Sequence, residues 1–296
     1  SAYNMPFAFR IAGALDIGNL KKSLNFIIMR HEVLRTLIRV DEAGVSKGIL
    51  VPHVQIDEVF AYKDLTEEIG SKQKDREVKA RMILEKESSK PFSLDDAPPI
   101  RFILTKIKNL DHVLSVTFHH HASDGVSLDI FIKELSLIYE AYRANQEPNL
   151  TPLPIQYSDW AAWHEKRLQK TIDGKLLRAT ERLKTAPQLL SLPLDKPRSS
   201  ERARSAGYIP IKLSPDTTIN LRRLAQKENT TLFNVALAVF GCFLNRISGQ
   251  TSVVVGAPVS GRDRSEIENV IGYFINTVAF PIELVGRETV TDLMQH

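Results

Sequence analysis

The residues best suited to chemistry are crowded into one short stretch, His119, His120, His121, Ala122, Ser123, Asp124 and Gly125. A neutral imidazole can take a proton from an attacking amine. An aspartate four positions after His120 can fold back to fix the loop or pair with an arginine. Gly125 lets backbone come close to a substrate. Alternate side chains of a strand face opposite sides, so His119 and His121 point one way and His120 the other, presenting a single ring to a cleft. A metal site fits the ligand types but not the geometry: adjacent strand histidines cannot converge on one ion, no second ligand cluster is evident, and no metal is expected. Residue types alone leave open whether the triplet is a site or a packed polar loop.

Other chemistries find less support. Ser123 and Ser127 lie near the histidines, but neither sits in the Gly-x-Ser-x-Gly turn of a hydrolase nucleophile. Gly256 to Gly261 lacks the following Lys-Ser or Lys-Thr of a phosphate loop, so nucleotide binding is not expected.

The histidines need elements to hold them. Ile100 to Ile107 and His112 to Phe118 read as a hairpin whose second strand runs into His119. Leu128, Phe131, Ile132, Leu135, Ile138, Tyr139 and Tyr142 then repeat at helical spacing, giving strand, polar loop, amphipathic helix. Upstream, Tyr3 to Ile11 reads as a strand and Asp16 caps a helix with an apolar face of Ile17, Leu20, Leu24, Ile27 and His31, where His31 is expected to be a satisfied core residue. Thr36 to Val40 and Ile49 to Val54 read as strands around a turn at Gly44, and a charged helix covers about Glu67 to Ser88. Pro-rich sequence at Pro148 to Pro154 and Leu192 to Arg198 flanks a helix around Trp160 to Leu183, which suits a connector, and the expected lobes are 1–165 and 166–296. The second half reads as a strand at Tyr208 to Leu213, a helix begun by Ser214 and Pro215, and an apolar helix over Leu232 to Ile247. A strand at Ser252 to Val255, a loop from Gly256 to Arg262 and a strand at Asn276 to Leu284 follow. Thr289 reads as the N-cap of a single turn from Val290 to Met294, as expected of a fragment. Helices and strands mixed throughout give an α/β class.

A chain of 296 residues exceeds the usual single core, and 43% hydrophobic with 25% charged residues removes disordered, fibrous and disulfide-scaffold classes. The net charge of +4 is spread without a basic stripe, so nucleic acid is not an expected partner. The single cysteine, Cys242, reads as a small buried hydrophobe in a reducing compartment. No apolar run reaches the roughly 18 residues of a membrane span, so the expectation is a cytoplasmic protein without a membrane partner.

HHHASDG resembles the HHxxxDG motif of condensation domains in nonribosomal peptide synthetases, and further segments match in the same order. SAYNMPFAFRI, RHEVLRT at Arg30 to Thr36 and KPFSLDDAPPIR at Lys90 to Arg101 resemble stretches before the motif. YSDWAAW at Tyr157 to Trp163, LPLDKPR at Leu192 to Arg198, GAPVSGR at Gly256 to Arg262 and IGYFINT at Ile271 to Thr277 resemble stretches after it. The resemblance implies a chloramphenicol-acetyltransferase-like fold: two similar lobes in a V, with the motif at the floor of a tunnel between them and the second lobe incomplete here.

It further implies that His120 accepts or orients the proton of an acceptor amine and that Gly125 borders a thioester. Asp124 would be structural, paired with Arg35 of RHEVLRT. His119 and His121 would face away and pack, and Asn276 and Arg262 would lie on the second lobe's side of the tunnel. Trp160 and Trp163 would be packing anchors. The implied reaction is amide formation between two thioesters on phosphopantetheine arms. Upstream and downstream carrier domains would deliver them, an adenylation domain would be a neighbour, and the domain itself would bind no cofactor. An ester-forming acyltransferase, an epimerisation domain and a degenerate partner-recruiting domain are the alternatives. Val126 stands where many members have tryptophan, and Asp-Gly-Val-Ser at Asp124 to Ser127 is also seen in epimerisation domains; those usually continue with tryptophan where Leu128 stands.

Overall fold

A computed structural model describes residues 3–66, 73–197, 209–284, 286 and 289–295. The chain forms two compact units, Ser1–Gln169 with Ser260–Ile275, and Lys170–Val259 with Asn276–His296. It therefore does not divide at one position near 165: after an excursion of some ninety residues it returns to the first unit for one short segment.

The first unit is built on a four-stranded sheet of β1 (Asn4–Ala12), β4 (Phe60–Asp64), β5 (Ile100–Lys108) and β6 (Asp111–His119), in the order β1-β6-β5-β4. β6 is antiparallel to both β1 and β5, and β4 runs parallel to β5. The period of two along β6 sorts its side chains. Leu114, Val116 and Phe118 enter the main core, while Val113 joins a smaller cluster with Ile107, Leu65 and Ala80. The main core is roofed by α1 (Ile17–Arg30) and α4 (Gly125–Arg143), and the smaller cluster is covered by α3 (Gln73–Ser89). Phe118 lies edge-on to Phe131 of α4 at 5.5 Å between centroids, and both are fully buried. Each such ring contributes about 1.5–3 kcal/mol by burial alone, which fixes the helix against the strand end that carries the histidines.

Capping follows the residue types. Asp16 accepts the Asn19 amide at the start of α1, and Asp124 accepts the Ser127 amide at the start of α4. A hairpin of β2 (Thr36–Val40) and β3 (Ser46–Leu50) and the short α2 (Ile56–Val59) complete this part; β3 begins and ends earlier than the apolar run at Ile49 to Val54 suggests. The helix expected from Glu67 begins, within the described residues, at Gln73; positions 67–72 lie outside them.

α5 (Tyr157–Leu183) contributes to both units. The second contains α6 (Pro215–Lys227), α7 (Leu232–Ser248), a pair formed by β7 (Ser252–Ser260) and β8 (Ile275–Glu283), and α8 (Val290–Gln295). Gly249 ends α7 in a left-handed conformation with φ 69°, and its amide donates to the Asn245 carbonyl. Thr289 and Asp292 exchange amide hydrogen bonds at the start of α8, as the N-cap reading requires. Two expectations fail here. Ile209–Leu213 is exposed and has no sheet partner among the described residues, with Tyr208 outside them, and Gly256 to Ser260 is strand rather than loop because it pairs with β8. Among the described residues no single helix is long and apolar enough to cross a membrane.

Candidate active site

β6 ends at His119, and the chain turns through His120 and His121 before α4 starts. The alternation of facing survives the turn. His119 and His121 lie together, Nδ1 to Nδ1 at 2.8 Å, and His120 points elsewhere. The His121 amide also donates to His119 Nδ1 at 3.3 Å, so that nitrogen is an acceptor and the proton between the rings sits on His121 Nδ1. Burial, and then the charge of His119, pull His121 down to about 4. Burial, and then His120, also lower His119. Phe92 lies edge-on to His119 at 5.8 Å, with the Arg101 guanidinium 3.8 Å above the Phe92 ring centre. This pair packs, and the described residues contain no cluster of three or more metal-ligating side chains.

His120 is half-buried, and its Nδ1 lies 2.8 Å from the Ser123 carbonyl. A carbonyl only accepts, so Nδ1 carries the hydrogen and the neutral ring keeps its lone pair on Nε2. No described residue hydrogen-bonds Nε2. The Tyr273 ring stands edge-to-face with His120 at 5.2 Å and 85°.

Asp124, 1% exposed, is the hub of the loop. Its Oδ1 accepts from the Ser127 amide at 2.8 Å, the Ser127 hydroxyl at 2.8 Å and Arg262 Nη2 at 3.1 Å, while Oδ2 accepts from the Phe274 amide at 3.2 Å. Arg35 is therefore not its partner. Arg35 donates to the Val51 carbonyl at 2.7 Å and lies 3.7 Å from Glu32, which ties the single helical turn Glu32–Arg35 to the end of the β2–β3 hairpin. Arg262 belongs to the first unit and not to the second. Its Nη1 donates to the carbonyls of Ile267 and Val270, Nη2 also reaches Ser127 Oγ at 3.0 Å, and the guanidinium lies 4.1 Å above the Phe274 ring. Burial lowers its pKa against the pull of Asp124, yet a guanidinium stays a cation, so this is a buried ion pair. Breaking such a pair costs about 3–5 kcal/mol.

The segment after Arg262 is stitched to the loop. The Gly272 amide donates to Ser127 Oγ at 3.1 Å, the Gly272 carbonyl at 2.9 Å shares that hydroxyl's single proton with Asp124, and the Tyr157 hydroxyl donates to the Tyr273 carbonyl at 3.0 Å. Burial, and then the Asp124 charge, push the Tyr157 phenol up, which keeps it a donor. Trp160 packs against Tyr157 and Phe274, an anchor as expected. Trp163 stacks under Arg167 and Arg264. The fully buried His31 accepts the Ile271 amide on Nδ1 at 3.2 Å, so its Nε2–H donates to Glu134 at 2.8 Å, with Arg30 on the other carboxylate oxygen at 2.9 Å. Burial outweighs Glu134 and lowers His31, and although burial alone would raise Glu134, His31 and Arg30 hold it below its ordinary value.

Gly125 opens α4 with nothing within 4 Å of where a Cβ would stand. Asn276 lies on β8 in the second unit, exposed, its side-chain oxygen accepting the Thr277 amide at 2.9 Å. Sequence reasoning missed three residues of this assembly. The Ser127 and Tyr157 hydroxyls bond distant backbone, and the Tyr273 ring meets a residue 153 positions earlier, contacts that leave no local pattern.

Sheet, helices and histidine loop define the α/β class of chloramphenicol-acetyltransferase-like folds. The condensation-domain family matches residues 1–296, and the chain belongs to it. It is 37% identical over 293 residues to a linear gramicidin synthase of Brevibacillus parabrevis, covering 99% of this chain and 4% of that protein. With phosphinothricin tripeptide synthetase PhsB of Streptomyces viridochromogenes it shares 33% identity over 296 residues, covering all of this chain and 24% of that one. Among solved structures, the X-domain from teicoplanin biosynthesis superposes with a TM-score of 0.85 at 25% identity, covering 99% of this chain and 64% of that one. The first condensation domain of the calcium-dependent antibiotic synthetase gives 0.80 at 22%, covering 99% and 67%. The chain thus spans a small part of the curated relatives.

Proposed function

We propose that this chain forms an amide bond between two carrier-bound substrates. The donor is an acyl or peptidyl thioester on an upstream carrier, and the acceptor an aminoacyl thioester on a downstream carrier, both on phosphopantetheine arms. The acceptor amine attacks the donor carbonyl, the C–S bond breaks, and the donor arm leaves as a thiol. No metal or nucleotide enters, because the thioester is already the activated species. The observation that carries the reading is the fixed tautomer of His120: with Nδ1–H given to the Ser123 carbonyl, Nε2 is the acceptor left for the amine proton.

Asp124 and Arg262 hold the loop rather than react, since both are enclosed by their mutual bonds. Gly125 leaves room for the substrate to pass. The kinship with multidomain synthetases supports an adenylation domain as a neighbour and a cytoplasmic setting. In the full-length protein, His120→Ala is expected to lower product formation by about 10²–10⁴-fold with carrier loading intact, the range for a lost proton acceptor. Loaded carriers would be mixed with amine and hydroxyl acceptors side by side and products followed by mass spectrometry. Full turnover in the variant, or preference for the hydroxyl, overturns the reading.

A further inference from the structure

We propose that Tyr273 is a positioning residue for His120, its ring holding the imidazole in the plane that aims Nε2 at the substrate. The proposal rests on the role given to His120 above.

Beyond its Cβ, the imidazole is held at one ring atom, by the hydrogen bond from Nδ1 to the Ser123 carbonyl, and no described residue hydrogen-bonds the Nε2 edge. A contact against the ring stiffens that edge. The Tyr273 ring supplies it, edge-to-face at 5.2 Å and 85°, within the favoured range for aromatic pairs. A wall can position only if it is itself immobile, and the backbone around Tyr273 is held residue by residue. Ile271 is bonded to His31, Gly272 to Ser127 in both directions, Tyr273 through its carbonyl to Tyr157, and Phe274 to Asp124. A Cβ at Gly272 would overlap the Tyr157 ring, so the backbone lies pressed against that side chain.

The side chain of Tyr273 is treated differently from its backbone. It is 38% exposed, and no described residue bonds its hydroxyl. The ring, not the hydroxyl, therefore does the positioning.

The test is the rate of amide formation by the full-length protein as a function of loaded acceptor-carrier concentration, with the donor carrier loaded. Tyr273→Ala should lower kcat about ten-fold or more, with the KM for the acceptor carrier nearly unchanged, since small misplacements of a reacting group carry costs of that order. Tyr273→Phe should restore the rate, because it keeps the ring. Tyr273→Leu, which fills the space without an aromatic edge, should resemble Ala and guards against loss by misfolding. In a His120→Ala background, Tyr273→Ala should cost nothing further. Undiminished kcat in Tyr273→Ala, failure of Phe to restore it, or an additive loss in the double variant each overturns the proposal. Retained turnover in His120→Ala alone would instead refute the role of His120, so the two failures are told apart.

Discussion

His121 is held neutral by burial and by its neighbour, and this sets a pH window for stability. Unfolded, an imidazole binds its proton below 6.5, whereas folded His121 waits until about 4. Across that window the unfolded state holds more protons, so stability is complete above about 6.5 and falls as the pH drops. His31 and His112 are shifted the same way, in both cases chiefly by burial. Carboxylates such as Asp64, lowered from 3.8 to about 2 despite burial by bonds from Thr66 and Lys106, add their own loss only at lower pH. The urea midpoint should therefore decline between about pH 7 and pH 5, and less steeply in His121→Gln; equal slopes would remove His121 from the account. The histidine triplet and its alternation were legible because they are local. The partner of Asp124 was not. Arg262 lies 138 residues away, and no spacing rule distinguishes it from Arg35, which has the same chemistry and sits in an equally suggestive segment.

At the scale of elements, two glycines bordering the loop should respond in opposite ways. Gly125 faces open space at the first turn of α4, so Gly125→Ala should keep or slightly raise stability, through better helix propensity, while turnover falls. Gly272→Ala drives a methyl into Tyr157, an overpacking that costs about 1–3 kcal/mol. Denaturation midpoints and single-turnover rates on both variants check this; a destabilised Gly125→Ala with a normal rate would reverse the assignment. Helices were read well from the sequence because their bonds are internal, and Ser214 and Thr289 announce starts that the structure keeps. Strands were read less well. Ile209–Leu213 alternates like a strand yet has no sheet partner among the described residues, and Gly256 to Ser260 looks like a loop yet is paired by β8. A strand is completed by its neighbour's hydrogen bonds, which its own residues do not encode.

At the scale of the molecule, Ser260–Ile275 is a piece of the first unit delivered late in the chain. Its amides at Ile271, Gly272 and Phe274 donate to side chains of the Ser1–Gln169 part, that of Gly261 donates to Phe274 within the segment, and the Arg262 guanidinium is bound to Asp124. These four should exchange hydrogen as one group, and Arg262→Ala should speed all of them by on the order of a hundred-fold or more, as loss of a buried ion pair implies. Mass-resolved exchange on the full-length protein reads this; acceleration confined to one amide would show that the segment is not a cooperative unit.

The same detour governs how the protein is made. Asp124 leaves the ribosome 150 residues before Phe274, which at about 5–20 residues per second is a wait of roughly 8–30 s. During that interval the nascent chain carries a carboxylate lacking its cation and a histidine loop lacking one wall. The loop is thus synthesised unfastened, and its bonds close only when the chain's own late segment returns.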